Sequence, residues 1–245
     1  MLKENHKVAI YLEGHFSTDY GKMGIGVLRY LSNQIVAVID SKNNGKNTNE
    51  FNSIERSVPI VSTLDAAVLN GAEVLILGIA PSGGKIPEAW FKVIESAISK
   101  NLSIINGLHD TLLSKYKNSL RNNQWIWDVR VPQFVPKIAS GKAAKLKNKR
   151  ILCVGTDMAV GKMTTSLEMH KWAIEKKINS SFIATGQIGI TITGEGIPLD
   201  AYKVDHACGA VEHMILTNQN SDWIFIEGQG SLLNPGSTAS LPLIR

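Results

Sequence analysis

Cysteine is nearly absent from the 245-residue sequence: Cys153 and Cys208 are the only two. They lie far apart and match no metal-binding or redox spacing, so neither a disulfide framework nor a dithiol centre organises the chain. Nor does any apolar run approach the ~20 residues that a membrane span requires. The first residues, Met1-Leu2-Lys3-Glu4-Asn5-His6-Lys7, lead straight into a strand-like run and read as no secretory signal. These absences set the expectation of a reduced, cytoplasmic protein with no membrane partner. Hydrophobic residues at 44% against 19% charged are enough to build a proper globular core.

Excess charge is also scarce outside one place. The formal net charge is +5, but Lys137, Lys142, Lys145, Lys147, Lys149 and Arg150 occur together with no acid among them. The other 20 of the 26 basic residues face 21 acidic ones. Basicity this local does not describe a nucleic-acid-binding surface. The segment reads either as a solvated connector or as a basic rim that draws an anionic ligand toward its neighbour.

What is abundant is alternation of short apolar runs with helical patterns. Val8-Ala9-Ile10-Tyr11-Leu12, Ile35-Val36-Ala37-Val38-Ile39 and Val74-Leu75-Ile76-Leu77 read as buried strands of a parallel sheet. Ser103-Ile104-Ile105 and Trp125-Ile126-Trp127 are shorter candidates. The spacing of Trp90, Val93, Ile94 and Ile98 predicts a helix over 87–100, with Pro87 in its first turn. Strands separated by helices imply βαβ units. Pro132, Pro136 and the basic segment break the pattern, which places a Rossmann-like first domain at 1–136, a basic linker at 137–149 and a second domain at 150–245.

The second domain opens with Ile151-Leu152-Cys153-Val154 as a strand, a glycine-containing turn, and a helix from about Lys162 to Lys177. Met163, Leu167, His170 and Ile174 are expected to face the sheet from that helix. Ser181-Phe182-Ile183-Ala184 and Trp223-Ile224-Phe225-Ile226 add two strands. Doubly wound nucleotide domains usually have five or six, so this domain is expected to be incomplete at Arg245.

Its turn, Gly155-Thr156-Asp157-Met158-Ala159-Val160-Gly161-Lys162-Met163-Thr164, follows a strand and opens a helix, the context of a phosphate-binding P-loop. Backbone N–H groups, the helix N-terminus and the Lys162 ammonium would together cradle an anion. Candidate cofactor-binding residues are therefore Gly155, Thr156, Asp157, Val160, Gly161, Lys162, Met163 and Thr164. Two departures stand out. Five residues rather than four separate the glycines, and Met163 occupies the place of the magnesium-binding hydroxyl. Thr164 is one position on, turned by about 100° around the helix. The sequence thus supports phosphate binding more directly than magnesium chemistry.

Other candidates stand at the same predicted sheet edge. Glu227 ends its strand before Gly228-Gln229-Gly230 and is a candidate base, a metal ligand together with Thr164, or a cap for the next helix. Gln187, in Thr185-Gly186-Gln187, offers an uncharged donor and acceptor, or simply belongs to a tight turn. Asp200 and Asp205 either orient an amine or face solvent. His206, Cys208, Glu212 and His213 fit no standard metal site. In the first domain Asp40 is a candidate ribose contact, but no Gly-x-Gly-x-x-Gly occupies the turn after the first strand. Pro81-Ser82-Gly83-Gly84-Lys85 and Gly107-Leu108-His109-Asp110 follow strands and share that domain's edge.

Taken in order, Glu13-Gly14, Ile39-Asp40, Gly78 through Gly84, Gly107-Leu108-His109, Trp127-Asp128-Val129-Arg130, the P-loop, Thr185-Gly186-Gln187 and Glu227 through Leu232 resemble the DUF1611 family over nearly the whole chain. That resemblance implies an α/β protein, a Rossmann-like N-terminal domain followed by a P-loop NTPase-like doubly wound domain, in a chain longer than this one. The family includes a D-glutamate N-acetyltransferase. The resemblance therefore implies an enzyme of D-amino acid metabolism that uses acetyl-CoA, with Glu227 or Asp205 taking the amine proton and Gln187 serving the oxyanion. The P-loop is also similar to that of dethiobiotin synthetase, which keeps open an ATP- and Mg2+-dependent ligase or kinase-like enzyme. A non-enzymatic nucleotide sensor is a third reading. A small-molecule substrate and a homo-oligomer are expected.

Overall fold

The structure, a computed structural model, describes residues 2–51, 54–81, 83–237 and 239–244. Ser82 of the Pro81–Lys85 turn, Met1 and Arg245 lie outside the described residues. The chain divides into two units, 1–130 and 131–245.

The first unit runs β1 (Val8–Tyr11), α1 (Lys22–Tyr30), β2 (Ile35–Ile39), β3 (Ile60–Val61), α2 (Leu64–Leu69), β4 (Val74–Leu77), α3 (Trp90–Ser99), β5 (Ser103–Asn106), α4 (Leu112–Tyr116) and β6 (Ile126–Asp128). All strand pairs are parallel, in the order β3-β2-β1-β4-β5-β6. β1, β2 and β4 are buried along their whole length, which is why they read as continuous apolar runs rather than alternating ones. In α3 the buried stripe is Trp90, Ile94, Ala97 and Ile98, with Val93 only partly covered. The two-residue β3 was not foreseen. Backbone bonds from Val38 N–H to the Pro59 carbonyl and from Asp40 N–H to the Val61 carbonyl define it, and no apolar periodicity marks so short a strand.

The second unit runs β7 (Lys149–Leu152), α5 (Lys162–Glu175), β8 (Ser180–Ile183), α6 (Gln187–Thr193), α7 (Val204–Thr217), β9 (Trp223–Ile226) and α8 (Leu241–Ile244). Its described strands are parallel in the order β7-β9-β8. Leu152 and Ile183 both lie in register with Ile226, so the three strands end at one level. Whatever follows each of them emerges at the same edge. One side of this sheet is sealed by α7, through Ala207, Ala210, Val211, Met214 and Ile215 packed with Ile183, Ile224 and Ile226.

Helix α5 is rotated from its expected setting. Ile174, predicted to face the sheet, is 57% exposed, while Ser166 and Ala173 are fully buried. Met163, Leu167 and His170 are partly covered. Small side chains bring the helix close, and the Ser166 hydroxyl donates to the Ile226 carbonyl at 3.1 Å, a bond that a larger residue would prevent. His170 meets Phe182 and Phe225, and burial lowers its pKa.

The basic stretch is held against α7 of its own unit. A side chain at Gly209 would begin 1.7 Å from the Lys137 carbonyl oxygen. The Glu212 carboxylate accepts from Ser140 N–H (2.5 Å), the Ser140 hydroxyl (3.0 Å) and Ala143 N–H (3.2 Å). These bonds, the Ser140 N–H foremost, hold the Glu212 carboxyl below its ordinary pKa. No helix among the described residues is long and apolar enough to cross a membrane.

Candidate functional site

In the first unit a doubly wound sheet would open a ligand crevice between β1 and β4, where the strand order reverses. Here the two loops bond to each other instead. Gly24 N–H donates to the Gly78 carbonyl and Ala80 N–H to the Tyr20 carbonyl, each at 2.7 Å, and Leu12 lies fully buried beneath them. Asp40 is 1% exposed; Gly14 N–H bonds one of its oxygens (3.0 Å) and the Asn43 amide the other (2.6 Å). The ribose role considered for Asp40 is thereby withdrawn, because its carboxylate already holds the β1 and β2 loops together. Asp128 is likewise structural: it accepts from Leu112 N–H, Leu113 N–H and the Asn106 amide, fixing the start of α4. Arg130 donates from Nε to the Gly107 carbonyl at 2.7 Å.

The second unit assembles most of the predicted site. The chain leaves β7 and turns through Gly155–Gly161 into α5. Gly161 takes a φ of 94°, a left-handed conformation that costs other residues energy. Ala159 sits at φ 57° without that exemption. The Lys162 stem runs between two glycines. Its Cδ lies 3.3 Å from where a Gly155 side chain would begin and 3.1 Å from the same point at Gly228. Its Nζ donates to the Asp157 carbonyl at 2.8 Å, across the mouth of the loop. Burial lowers the Lys162 pKa, and the charges of Asp157 and Glu227 partly restore it. Thr156, Asp157 and Val160 are exposed, and Met163 and Thr164 are half-buried.

Asp157 is held from a distant part of the chain. Its Oδ1 accepts from the Asn234 amide and from Met158 N–H, at 2.8 and 2.7 Å. These bonds, Asn234 first, lower its pKa and keep it ionised. Leu232 N–H and Leu233 N–H donate to the Gly155 and Thr156 carbonyls, so residues 231–234 run alongside the first arm of the P-loop. Asn234 was not recognised from the sequence. An asparagine in a loop carries no local signal of a partner so far away.

Glu227 follows β9 and is 3% exposed. Its Oε2 accepts from Thr185 N–H (2.9 Å) and Gly186 N–H (3.1 Å). The Thr185 hydroxyl donates to the Glu227 carbonyl at 2.8 Å. Burial pushes the Glu227 pKa up to about 7, against the opposing pull of those N–H groups and of Lys162. The carboxylate is tightly walled: a side chain at Gly189 would begin 2.4 Å from Oε2. At Gly228 it would begin 1.7 Å from the Cys153 carbonyl oxygen, so β7 and β9 meet without clearance directly beside the acid.

The remaining candidates divide. Gln187 opens α6, two residues after Thr185, and is thus carried on the turn that binds Glu227. Asp205 lies exposed in the first turn of α7, and no hydrogen bond links it to Glu227, Lys162 or the loop. Asp200 lies exposed within the short turn of helix Leu199–Ala201. His206 bonds the Pro136 carbonyl and His213 packs on Phe134. Among the described residues no group of three or more His, Cys, Asp or Glu is arranged to hold a metal ion.

The comparisons agree with this architecture. Residues 41–132 match the DUF1611 N-terminal Rossmann-like domain, and residues 137–245 match the DUF1611 C-terminal P-loop domain, each described as a domain of unknown function. The chain is similar to a crystal structure of a DUF1611 family protein from Anabaena variabilis ATCC 29413, with 46% identity and a TM-score of 0.94, over 98% of this chain and 71% of that one. It is 41% identical over 175 residues to a D-glutamate N-acetyltransferase from Tritonibacter scottomollicae, covering 70% of this chain and 52% of that protein. It is also 41% identical over 177 residues to a D-glutamate N-acetyltransferase from a Pseudoalteromonas species, covering 71% and 52%. The chain spans about half the length of these curated relatives. With both domains matched and a close structural relative covered over most of its length, the chain belongs to the DUF1611 family.

Proposed function

We propose that the protein is an N-acetyltransferase that moves the acetyl group of acetyl-CoA to the amino group of D-glutamate or a related amino acid. The observation that carries this reading is the pairing of a buried carboxyl, raised to about 7, with a P-loop lysine in a loop that has no hydroxyl directly after that lysine. CoA carries a diphosphate and a separate 3′-phosphate, so it can occupy an anion cradle without any γ-phosphate chemistry. The names of the two curated relatives point to the same reaction.

In this reading Lys162 and the loop N–H groups hold CoA phosphates, each charge-assisted bond contributing about 1.5–3 kcal/mol. Glu227, ionised above about pH 7, takes one proton from the substrate ammonium. The neutral nitrogen then attacks the thioester carbon, and the resulting oxyanion collapses with departure of the CoA thiolate, which receives the second nitrogen proton. No covalent enzyme intermediate is required, because a positioned amine attacks a thioester directly. Glu227 serves better than Asp205, whose exposed carboxylate has no connection to the loop.

The rival is an ATP- and Mg2+-dependent ligase, in which Thr164 and Glu227 would hold the metal and Lys162 would stabilise phosphoryl transfer. It is favoured by the same juxtaposition of a P-loop with a strand-end acid. The test is thiol release from acetyl-CoA with D-glutamate by the full-length protein, in the absence of ATP and magnesium. Turnover under those conditions is expected. Strict dependence on ATP, with ADP appearing in step with product, would establish the ligase instead.

A further inference from the structure

Beside Glu227 stands a side chain that the reaction as described leaves without a task. The point where a Gly186 side chain would begin lies 1.7 Å from Gln229 Nε2, 3.0 Å from its Cδ and 3.1 Å from Glu227 Oε1. The carboxamide therefore points nitrogen-first at Gly186, and Glu227 Oε1, the carboxylate oxygen with no hydrogen bond to a described residue, lies close to the same point. The other carboxylate oxygen, Oε2, is already occupied by Thr185 and Gly186 N–H. Gln229 is only partly covered, and its carboxamide forms no hydrogen bond with a described residue. Its backbone is fixed, because the Ser240 hydroxyl donates to the Gln229 carbonyl at 2.7 Å. A positioned, unengaged N–H donor next to a base is an arrangement that a reacting group would complete.

We propose that the Gln229 carboxamide is the donor that receives the acetyl oxygen as it becomes an oxyanion, opposite the nitrogen whose proton goes to Glu227. The assignment rests on the acetyl-transfer reading. In the tetrahedral intermediate the attacking nitrogen and the oxyanion share one carbon. A base on the nitrogen and a donor on the oxygen must then be neighbours that do not bond each other, as Glu227 Oε1 and Gln229 Nε2 are. Gln187, the donor expected from the sequence, also has a carboxamide that bonds no described residue, and none of the close approaches at Gly186 or Gly189 brings it beside the carboxylate. The glycine at 186 is explained as well: any side chain there would displace the amide from the acid.

The test is Gln229→Met, which keeps length and volume and removes the donor, set beside Gln187→Met in the full-length protein with acetyl-CoA and D-glutamate. Gln229→Met is expected to lower kcat by about 10²–10³-fold. Calorimetric CoA affinity, the KM for the amine and the midpoint of the pH–rate profile should each stay within about threefold or their error. Gln187→Met should lose less kcat than Gln229→Met. An unmoved pH midpoint separates loss of a donor from collapse of the turn that holds Glu227. If Gln229→Met fails to fold, Gln229→Leu, which also lacks a donor and adds no charge, carries the same expectation. A Gln229 variant that retains kcat within threefold, or a loss confined to Gln187→Met, overturns this assignment alone. A wild-type protein inert toward acetyl-CoA overturns it together with the acetyl-transfer reading.

Discussion

Asn234 holds Asp157 across 77 positions of sequence, its amide donating to the carboxylate at 2.8 Å. This bond closes a small circuit. Asn234 fixes the Asp157 side chain, the Asp157 carbonyl takes the Lys162 ammonium, and the Lys162 stem crosses Gly228 next to Glu227. The segment after the acid and the P-loop are thereby one mechanical unit.

Breaking that circuit should loosen the loop more than the fold. Asn234→Ala is expected to weaken CoA binding by roughly three- to tenfold, because a less ordered loop pays more entropy on binding. Calorimetry checks the affinity, and a thermal melt close to wild type checks the fold. Unchanged affinity would mean that the 231–234 segment does not order the loop.

Lys162→Ala should weaken CoA binding by at least tenfold, the lower end of what a charge-assisted phosphate bond contributes. The fold should survive, since the Lys162 ammonium bonds only a loop carbonyl among the described residues. Far-UV circular dichroism and calorimetry on the same sample separate the two effects.

With Glu227 as the proposed base, activity and stability should move in opposite directions with pH. As the base it must be ionised, so kcat should rise with pH and level off above about 7. Its folded pKa is raised from the ordinary 4.5, so the folded protein retains a proton that the unfolded chain has lost. Between those two values the folded state binds more protons, and its stability falls as pH rises. Glu227→Gln should lose activity by about 10²–10⁴-fold and lack that slope, which denaturation at a series of pH values would reveal. A variant whose stability still falls across the window would place the titrating group elsewhere.

Gly228→Ala should damage the unit itself. The added carbon would meet the Cys153 carbonyl oxygen at 1.7 Å, and backbone cannot move aside as a flexible side chain can. Overpacking of this kind typically costs about 1–3 kcal/mol, and a denaturation midpoint clearly below that of wild type is expected. A midpoint equal to wild type would show that β7 and β9 separate easily at this level.

Much of this was legible because local chemistry and global role coincide. Buried parallel strands are continuous apolar runs, so β1, β2, β4 and β9 could be read directly from 8–12, 35–39, 74–77 and 223–226. A glycine-bounded turn ending in Gly161-Lys162 between a strand and a helix needs no distant partner to be recognised. Glu227 could be placed at the edge where the strands end, because its strand ends where the apolar run ends. The setting of α5 was not legible, because periodicity assumes that the largest side chains face inward, whereas Ser166 and Ala173 do so here.

The sequence by itself therefore determined the class of fold, the P-loop and the strand-end acid beside it, all properties written in runs of adjacent residues. Tertiary structure alone decided that Asp40 is a brace rather than a ligand contact, that Asn234 governs Asp157, and that Gln229 lies against Gly186 beside Glu227. Each of these depends on segments brought together by strand register and turn geometry. Hydrogen bonds and desolvation act over a few ångströms in space, without regard to how far apart two residues lie along the chain.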